Sequence, residues 1–272
     1  MSFVEVPGVR LHVQRLVPAG GAVPGAPVVV LVHGLLSDNL AGFHRGLAGP
    51  LSAAGADVVL YDQRGHGRST RPPTGYRLPD LVADLVALLA GLGLDRPVHL
   101  VGNSFGGLVA LHTTLRHPGL VAGLVLLDAQ ETPEDDARWI EVMRNDATVA
   151  ALAHEYHRPA GQYHRAYGRA RRRDARLQQT IGELLNATSL LDDLWDLAPV
   201  SAAALRGVRC PVLAVYGEHS EHLPAGRFLA RHLPDCTLTV LAGLTHTILL
   251  EGSPAIRSVL LPWLAARTGP AA

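Results

Sequence analysis

The chain has 272 residues and not one lysine: all 24 of its basic residues are arginine, and they balance 24 acidic ones. The missing lysine excludes Schiff-base catalysis through a lysine amine. We read the arginine-only usage as genomic composition bias, not as function. A net charge of zero, with 18% charged residues, gives no pointer to nucleic acid or to an acidic membrane surface. There are only two cysteines, Cys210 and Cys236, and their spacing fits neither a metal site nor a redox pair. Both fall at or near expected core strands, where a free cysteine serves as a small hydrophobe. A disulfide is not expected in a chain read as cytoplasmic. No apolar run approaches the ~20 residues that a membrane-spanning helix requires. The first residues lack the charged-then-apolar order of a secretory signal.

What is present is a high apolar content, 48%, on a length suited to one large α/β domain with an inserted piece. Residues 1–17 alternate in strand fashion around Pro7-Gly8 and predict a hairpin. Val28 to Val32 is a continuous apolar run, as in a strand buried on both faces. A helix is expected around 42–54, then a strand at 58–61. Leu78 to Leu92 repeats apolar residues at helical spacing, with Asp80 and Asp84 assigned to the other side. Strands at 98–101, 124–127, 212–216 and 237–241 alternate with helices ending near His117 and spanning about 224–233 and 254–267. This alternation predicts a mostly parallel sheet with helices on both faces. Residues 131–199 have helical patterning and no convincing strand. They read as a helical lid inserted into a core made of 1–130 and 200–272.

The strand at 98–101 runs straight into Gly102-Asn103-Ser104-Phe105-Gly106-Gly107, and a helix follows. A serine on a sharp strand-to-helix corner, flanked by glycines that allow close packing, is the pattern of an exposed nucleophile. The corner also sets the hydroxyl at the positive end of the helix. A serine hydroxyl needs a base. Among 14 histidines, His246 follows the last strand and lies at the carboxyl end of the sheet, where the other functional loops gather. His33-Gly34-Leu35-Leu36 closes the strand 28–32. The backbone N–H groups of Leu35 and Phe105 are the candidate oxyanion donors, and Gly34 a candidate substrate contact.

Taken together, His33-Gly34, the loop Tyr61-Asp62-Gln63-Arg64-Gly65-His66-Gly67-Arg68-Ser69, the elbow at 102–107 and the terminal His246 resemble the α/β-hydrolase fold family over essentially the whole chain. The resemblance implies an eight-stranded sheet, with Asp62 and Arg64 as structural residues. It also implies a carboxylate that orients the histidine. The family commonly places that acid three residues after the glycine ending the penultimate strand. Here the position is Ser220, which carries no charge. Some members, such as a subgroup of haloalkane dehalogenases and the zearalenone-type lactonases, place the acid one strand earlier. The matching residue is Asp128. Glu218 and Glu221 are the alternatives.

The implied activity is hydrolysis of an ester, lactone or thioester through an acyl-enzyme, with no metal or organic cofactor. Carbon–carbon bond hydrolysis of diketones is an alternative, because the elbow Gly-Asn-Ser-Phe-Gly-Gly resembles that of ring-fission hydrolases. A non-hydrolytic ligand-binding or cyclase role is another. Dehalogenases and epoxide hydrolases use an aspartate nucleophile, so Ser104 argues against both. The expected partner is a small-molecule substrate, not a membrane or nucleic acid. Arg165, Arg169, Arg172 and Arg176 share a helical face, which is either a solvated surface or a site for an anionic or carrier-bound substrate. Leu184, Leu185, Leu190, Leu191, Leu194 and Trp195 either roof the pocket or pack lid against core.

Overall fold

A computed structural model of the chain describes residues 2–21, 25–36, 38–129, 180–194 and 197–267. Most of the segment read as a lid therefore lies outside the described residues, along with the four arginines and Trp195.

Eight strands form one sheet: β1 (Ser2–Val6), β2 (Val9–Leu16), β3 (Val28–Val32), β4 (Asp57–Tyr61), β5 (Val98–Asn103), β6 (Val121–Leu127), β7 (Val212–Gly217) and β8 (Cys236–Leu241). Their order is β1-β2-β4-β3-β5-β6-β7-β8. The predicted hairpin is β1–β2, antiparallel, and β2 also meets β4 antiparallel. From β4 to β8 every pairing is parallel. Among the described residues the helices include α1 (Ala41–Phe43), continued by a π-helical turn into α2 (Gly49–Ala53), then α3 (Leu78–Gly91), α4 (Phe105–Arg116), α5 (Leu190–Leu194), α6 (Ala202–Leu205), α7 (Leu223–His232), α8 (Ile248–Glu251) and α9 (Ser253–Ala265).

The sheet is covered on both faces, and β3 shows why its run is unbroken. Val28, Val30 and Val32 join one apolar cluster with residues of α3, α4 and α7, while Val29 and Leu31 join the other with residues of α1, α2 and α9. Each such side chain contributes about 1.5–3 kcal/mol by leaving water. A strand so placed has no polar face to display. The helices present stripes to the sheet instead. In α3 the buried apolar residues are Leu78, Leu81, Val82, Leu85, Leu88 and Leu89.

One expectation on α3 fails. Asp84 does not face solvent; it is buried and takes both nitrogens of the Arg64 fork, Nε and Nη2, at 2.6 Å each. Helical spacing assigns polar residues to the wet side, but a buried guanidinium from the loop after β4 recruits a carboxylate to the inner side. Asp62 is structural as expected. Its carboxylate accepts from Nδ1 of His12 at 2.8 Å and from the N–H groups of Leu40 and Arg68 at 2.9 Å.

Of the segment read as a lid, residues 180–194 pack on the core. Leu184 and Leu190 bury themselves with Tyr76, and Leu35, Leu36, Leu185 and Leu194 pack against this group. Asp193 accepts the Tyr76 N–H at 2.8 Å, and the Ser189 N–H reaches the Pro73 carbonyl at 2.8 Å. Cys210 and Cys236 are both free, and burial raises each thiol to about 11. Among the described residues no helix is long and apolar enough to cross a membrane.

Candidate active site

Strand register brings the candidate residues to one edge of the sheet. Asn103 at the end of β5 pairs with Leu127 at the end of β6, and Leu127 pairs with Val215 on β7. Ser104 and Asp128, each one residue further, therefore stand level on neighbouring strands, which run about 4.8 Å apart. Hydrogen bonds fix both: Ser104 N–H to the Leu127 carbonyl at 2.9 Å, and Asp128 N–H to the Val215 carbonyl at 2.7 Å. The non-glycine residues with positive φ among those described are Leu36 (60°), Ser104 (52°) and Asp128 (45°). Such backbone costs of order 1–3 kcal/mol per residue. Two of the three, Ser104 and Asp128, are joined through His246, so the surrounding fold holds this corner of the site under strain.

The elbow tolerates this because its helix starts almost in contact with β3. A methyl group on Gly106 would overlap the carbonyl oxygens of Val32 and His33. Gly106→Ala is therefore expected to destabilise the fold by about 1–3 kcal/mol through overpacking. A drop in melting temperature checks this; an unchanged value would mean that the helix start can shift away from β3.

His246 lies 142 residues beyond Ser104 in the chain, and its Nε2 accepts from the serine hydroxyl at 3.1 Å. Its Nδ1 is 3.0 Å from Oδ1 of Asp128. A carboxylate only accepts, so Nδ1 carries the proton and Nε2 presents its lone pair to Ser104. Asp128 is fully buried, and its other oxygen, Oδ2, accepts the Gly217 N–H at 2.8 Å. The loop carrying His246 passes tightly over Gly217, where a Cβ would come within 2.5 Å of the Leu244 and Thr245 carbonyl oxygens. The two alternative acids are used elsewhere. Glu218 accepts the Gly243 N–H at 2.8 Å, and exposed Glu221 stands 3.8 Å from Nε2 of His222. Ser220, at the place where the resemblance expected an acid, donates its hydroxyl to Oδ1 of Asp128 at 2.5 Å.

On the other side of Ser104 the loop after β3 has most of its amides engaged. Gly34 N–H goes to the Asp38 carboxylate at 2.8 Å, and Leu36 N–H to Nε2 of His66 at 3.1 Å. Among the described residues, neither the Leu35 nor the Phe105 N–H has an acceptor. Gly34 faces the serine, since a Cβ on it would lie 3.4 Å from Ser104 Cβ. Asp38 ties the loop to the elbow by also accepting from Asn103 Nδ2 at 3.4 Å. Sequence reading missed Asp38 and His222, and it quoted His66 within the 61–69 loop without giving it a role. No local pattern marks Asp38 or His222, because each acts through a partner distant in the chain or through packing.

His66 is held neutral: burial, with His33 beside it, lowers it to about 3. Burial likewise lowers His99, His112 and His222 to about 4. Each titrates near 6.5 once unfolded, so below that pH the unfolded chain binds protons that the folded chain refuses. Stability is therefore expected to be full above pH 6.5 and to fall as pH drops towards 4. Melting temperature against pH measures this, and His99→Phe should flatten the slope. A flat curve over that window would contradict the buried neutral histidines.

The model for the alpha/beta hydrolase fold family matches residues 27–253. Epoxide hydrolase A of Mycobacterium tuberculosis is 41% identical over 133 residues, 48% of this chain and 39% of that one. The match thus spans well under half the length of that curated relative. Pimeloyl-[acyl-carrier protein] methyl ester esterase of Chromobacterium violaceum is 31% identical over 240 residues, 83% of this chain and 89% of that one. The crystal structure of the enol-lactonase from Burkholderia xenovorans superposes with a TM-score of 0.71 at 22% identity, covering 97% of this chain and 100% of that one. That likeness is one of fold.

Proposed function

The chain belongs to the α/β hydrolase fold family, and from that premise we propose that it is a serine hydrolase cleaving a carboxylic ester, lactone or thioester. The observation that carries the reading is the unbroken hydrogen-bond chain from the Ser104 hydroxyl through His246 to Asp128. Ser104 attacks the substrate carbonyl as Nε2 of His246 takes its proton. Asp128 keeps the imidazole in the required tautomer and stabilises the imidazolium. The Leu35 and Phe105 amides hold the oxyanion. His246 then returns its proton to the leaving group and activates the water that frees the acyl group. Serine, not aspartate, at the elbow favours this chemistry over epoxide opening.

The finer reading of the substrate is an anionic or carrier-bound acyl group. It is supported by the name of the esterase relative and by the arginine row at 165–176 in the sequence. Within 180–194, Leu184 and Leu190 bury themselves with Tyr76, and Leu35 and Leu36 pack against the same group, which supports reading this stretch as part of a lid beside the site.

The test is covalent labelling of the purified chain with a fluorophosphonate, together with release of p-nitrophenol from p-nitrophenyl butyrate. Labelling of the wild type and ester turnover are both expected. A well-folded protein that neither labels nor turns over would favour a ligand-binding member of the fold.

A further inference from the structure

We propose that Ser220 and His222 are positioning residues for His246, a clamp that fixes both the oxygen the imidazole bonds and the orientation of its ring. This rests on the serine-hydrolase reading above.

Two independent contacts build the clamp. The Ser220 hydroxyl donates to Oδ1 of Asp128 at 2.5 Å, the same oxygen that accepts the His246 Nδ1–H at 3.0 Å. That hydroxyl also accepts the His222 N–H at 3.0 Å. The hydroxyl thus links Asp128, at the end of β6, to the turn after β7. The turn itself is set by the Ser220 N–H on the Gly217 carbonyl and the Leu223 N–H on the Ser220 carbonyl, each at 3.2 Å. The second contact is between rings: the His222 and His246 centroids lie 4.5 Å apart with planes at 72°, an edge-to-face pair. Ser220 and His222 are both buried.

The consequences follow from the chemistry. Asp128 holds His246 at Nδ1 alone, and a single hydrogen bond leaves the ring free to rock about it. The packed edge of His222 removes that freedom and keeps Nε2 on the serine. Ser220 draws on the Oδ1 lone pairs, so it moderates the pull of the carboxylate on the imidazolium while preventing the carboxylate from turning. His222 can sit this close because it stays neutral at working pH: burial, with His246 beside it, lowers it to about 4. A charged neighbour would oppose proton uptake by His246. The other ionisable groups nearby are engaged elsewhere. Glu251 accepts from the Thr245 N–H and from the Thr245 and Thr247 hydroxyls, Glu218 takes the Gly243 N–H, and Glu221 stands 3.8 Å from the outer side of His222.

The experiment is the pH profile of kcat and KM for p-nitrophenyl butyrate, with fluorophosphonate labelling rates alongside. Ser220→Ala is expected to lower kcat about tenfold, the size of one charge-assisted hydrogen bond, at unchanged KM. It should also move the acid limb of the profile upward, because a carboxylate relieved of one donor stabilises the imidazolium more. Ser220→Thr should restore both, and Ser220→Val should not. The Thr/Val pair gives the same comparison if the alanine variant folds poorly. His222→Ala should lower kcat more than His222→Phe, which keeps a ring edge. A wild type that labels, with Ser220→Ala and Ser220→Val matching it in kcat and pH profile, overturns the clamp and leaves the hydrolase standing. A wild type that never labels overturns both. A variant with lowered melting temperature but full activity per folded molecule also overturns the clamp.

Discussion

Replacing Ser104 by alanine is expected to abolish fluorophosphonate labelling and to lower ester turnover by about 10⁶-fold, the scale on which loss of a serine nucleophile is felt. The fold should be unaffected. The elbow's geometry comes from the Ser104 N–H on the Leu127 carbonyl and from the close approach of Gly106 to β3. Neither involves the hydroxyl, whose partner is His246. Circular dichroism and melting temperature should therefore match the wild type while labelling disappears. Residual labelling would place the reactive group elsewhere. Residual turnover without labelling would point to activation of water in place of a covalent intermediate.

The second large effect concerns the acid. Asp128→Asn is expected to lower turnover by about 10⁴-fold with KM little changed, the penalty for a histidine held in the wrong tautomer. The neighbourhood of Asp128 makes the reason specific. Oδ1 faces two donors, Ser220 and His246, and Oδ2 faces a third, the Gly217 N–H. An amide has one accepting end, so its NH₂ must meet either Gly217 or the Ser220–His246 pair. Towards His246 it forces Nδ1 to accept and moves the proton to Nε2, where it faces the serine. Towards Gly217 it leaves two buried donors opposed. Glu218→Gln and Glu221→Gln should remain within a few-fold of wild type, since neither carboxylate reaches His246: Glu218 serves Gly243, and Glu221 lies out beside His222.

Much of this arrangement was legible in the chain before any coordinates. Period and turn chemistry are local, so the hairpin at 1–17, the buried runs such as Val28 to Val32 and the glycine-flanked corner at Ser104 could be read directly. Asp128 was reachable through the resemblance, since some members of the family carry the acid at the end of the strand after the elbow helix. Choosing it over Glu218 and Glu221 was harder. That choice depends on which carboxylate faces one imidazole ring 118 residues beyond Asp128, and no local pattern records this. Asp84 was misassigned for the same reason, because its partner Arg64 lies on another element. Ser220 read as a missing charge, yet its hydroxyl bonds Asp128 one strand over. His222 carried no signal at all. Its placement follows from the turn after β7, which the His219 N–H ties to the Leu244 carbonyl of the His246 loop at 2.8 Å.

The central claim is that Asp128, bonded to His246, is what makes Ser104 nucleophilic. The most direct measurement is the second-order rate of fluorophosphonate labelling at neutral pH, taken side by side for wild type, Asp128→Asn, Glu218→Gln and Glu221→Gln. A collapse confined to Asp128→Asn, with the two glutamate variants at the wild-type rate, is the predicted result. Labelling that survives in Asp128→Asn and collapses in either glutamine variant would contradict it.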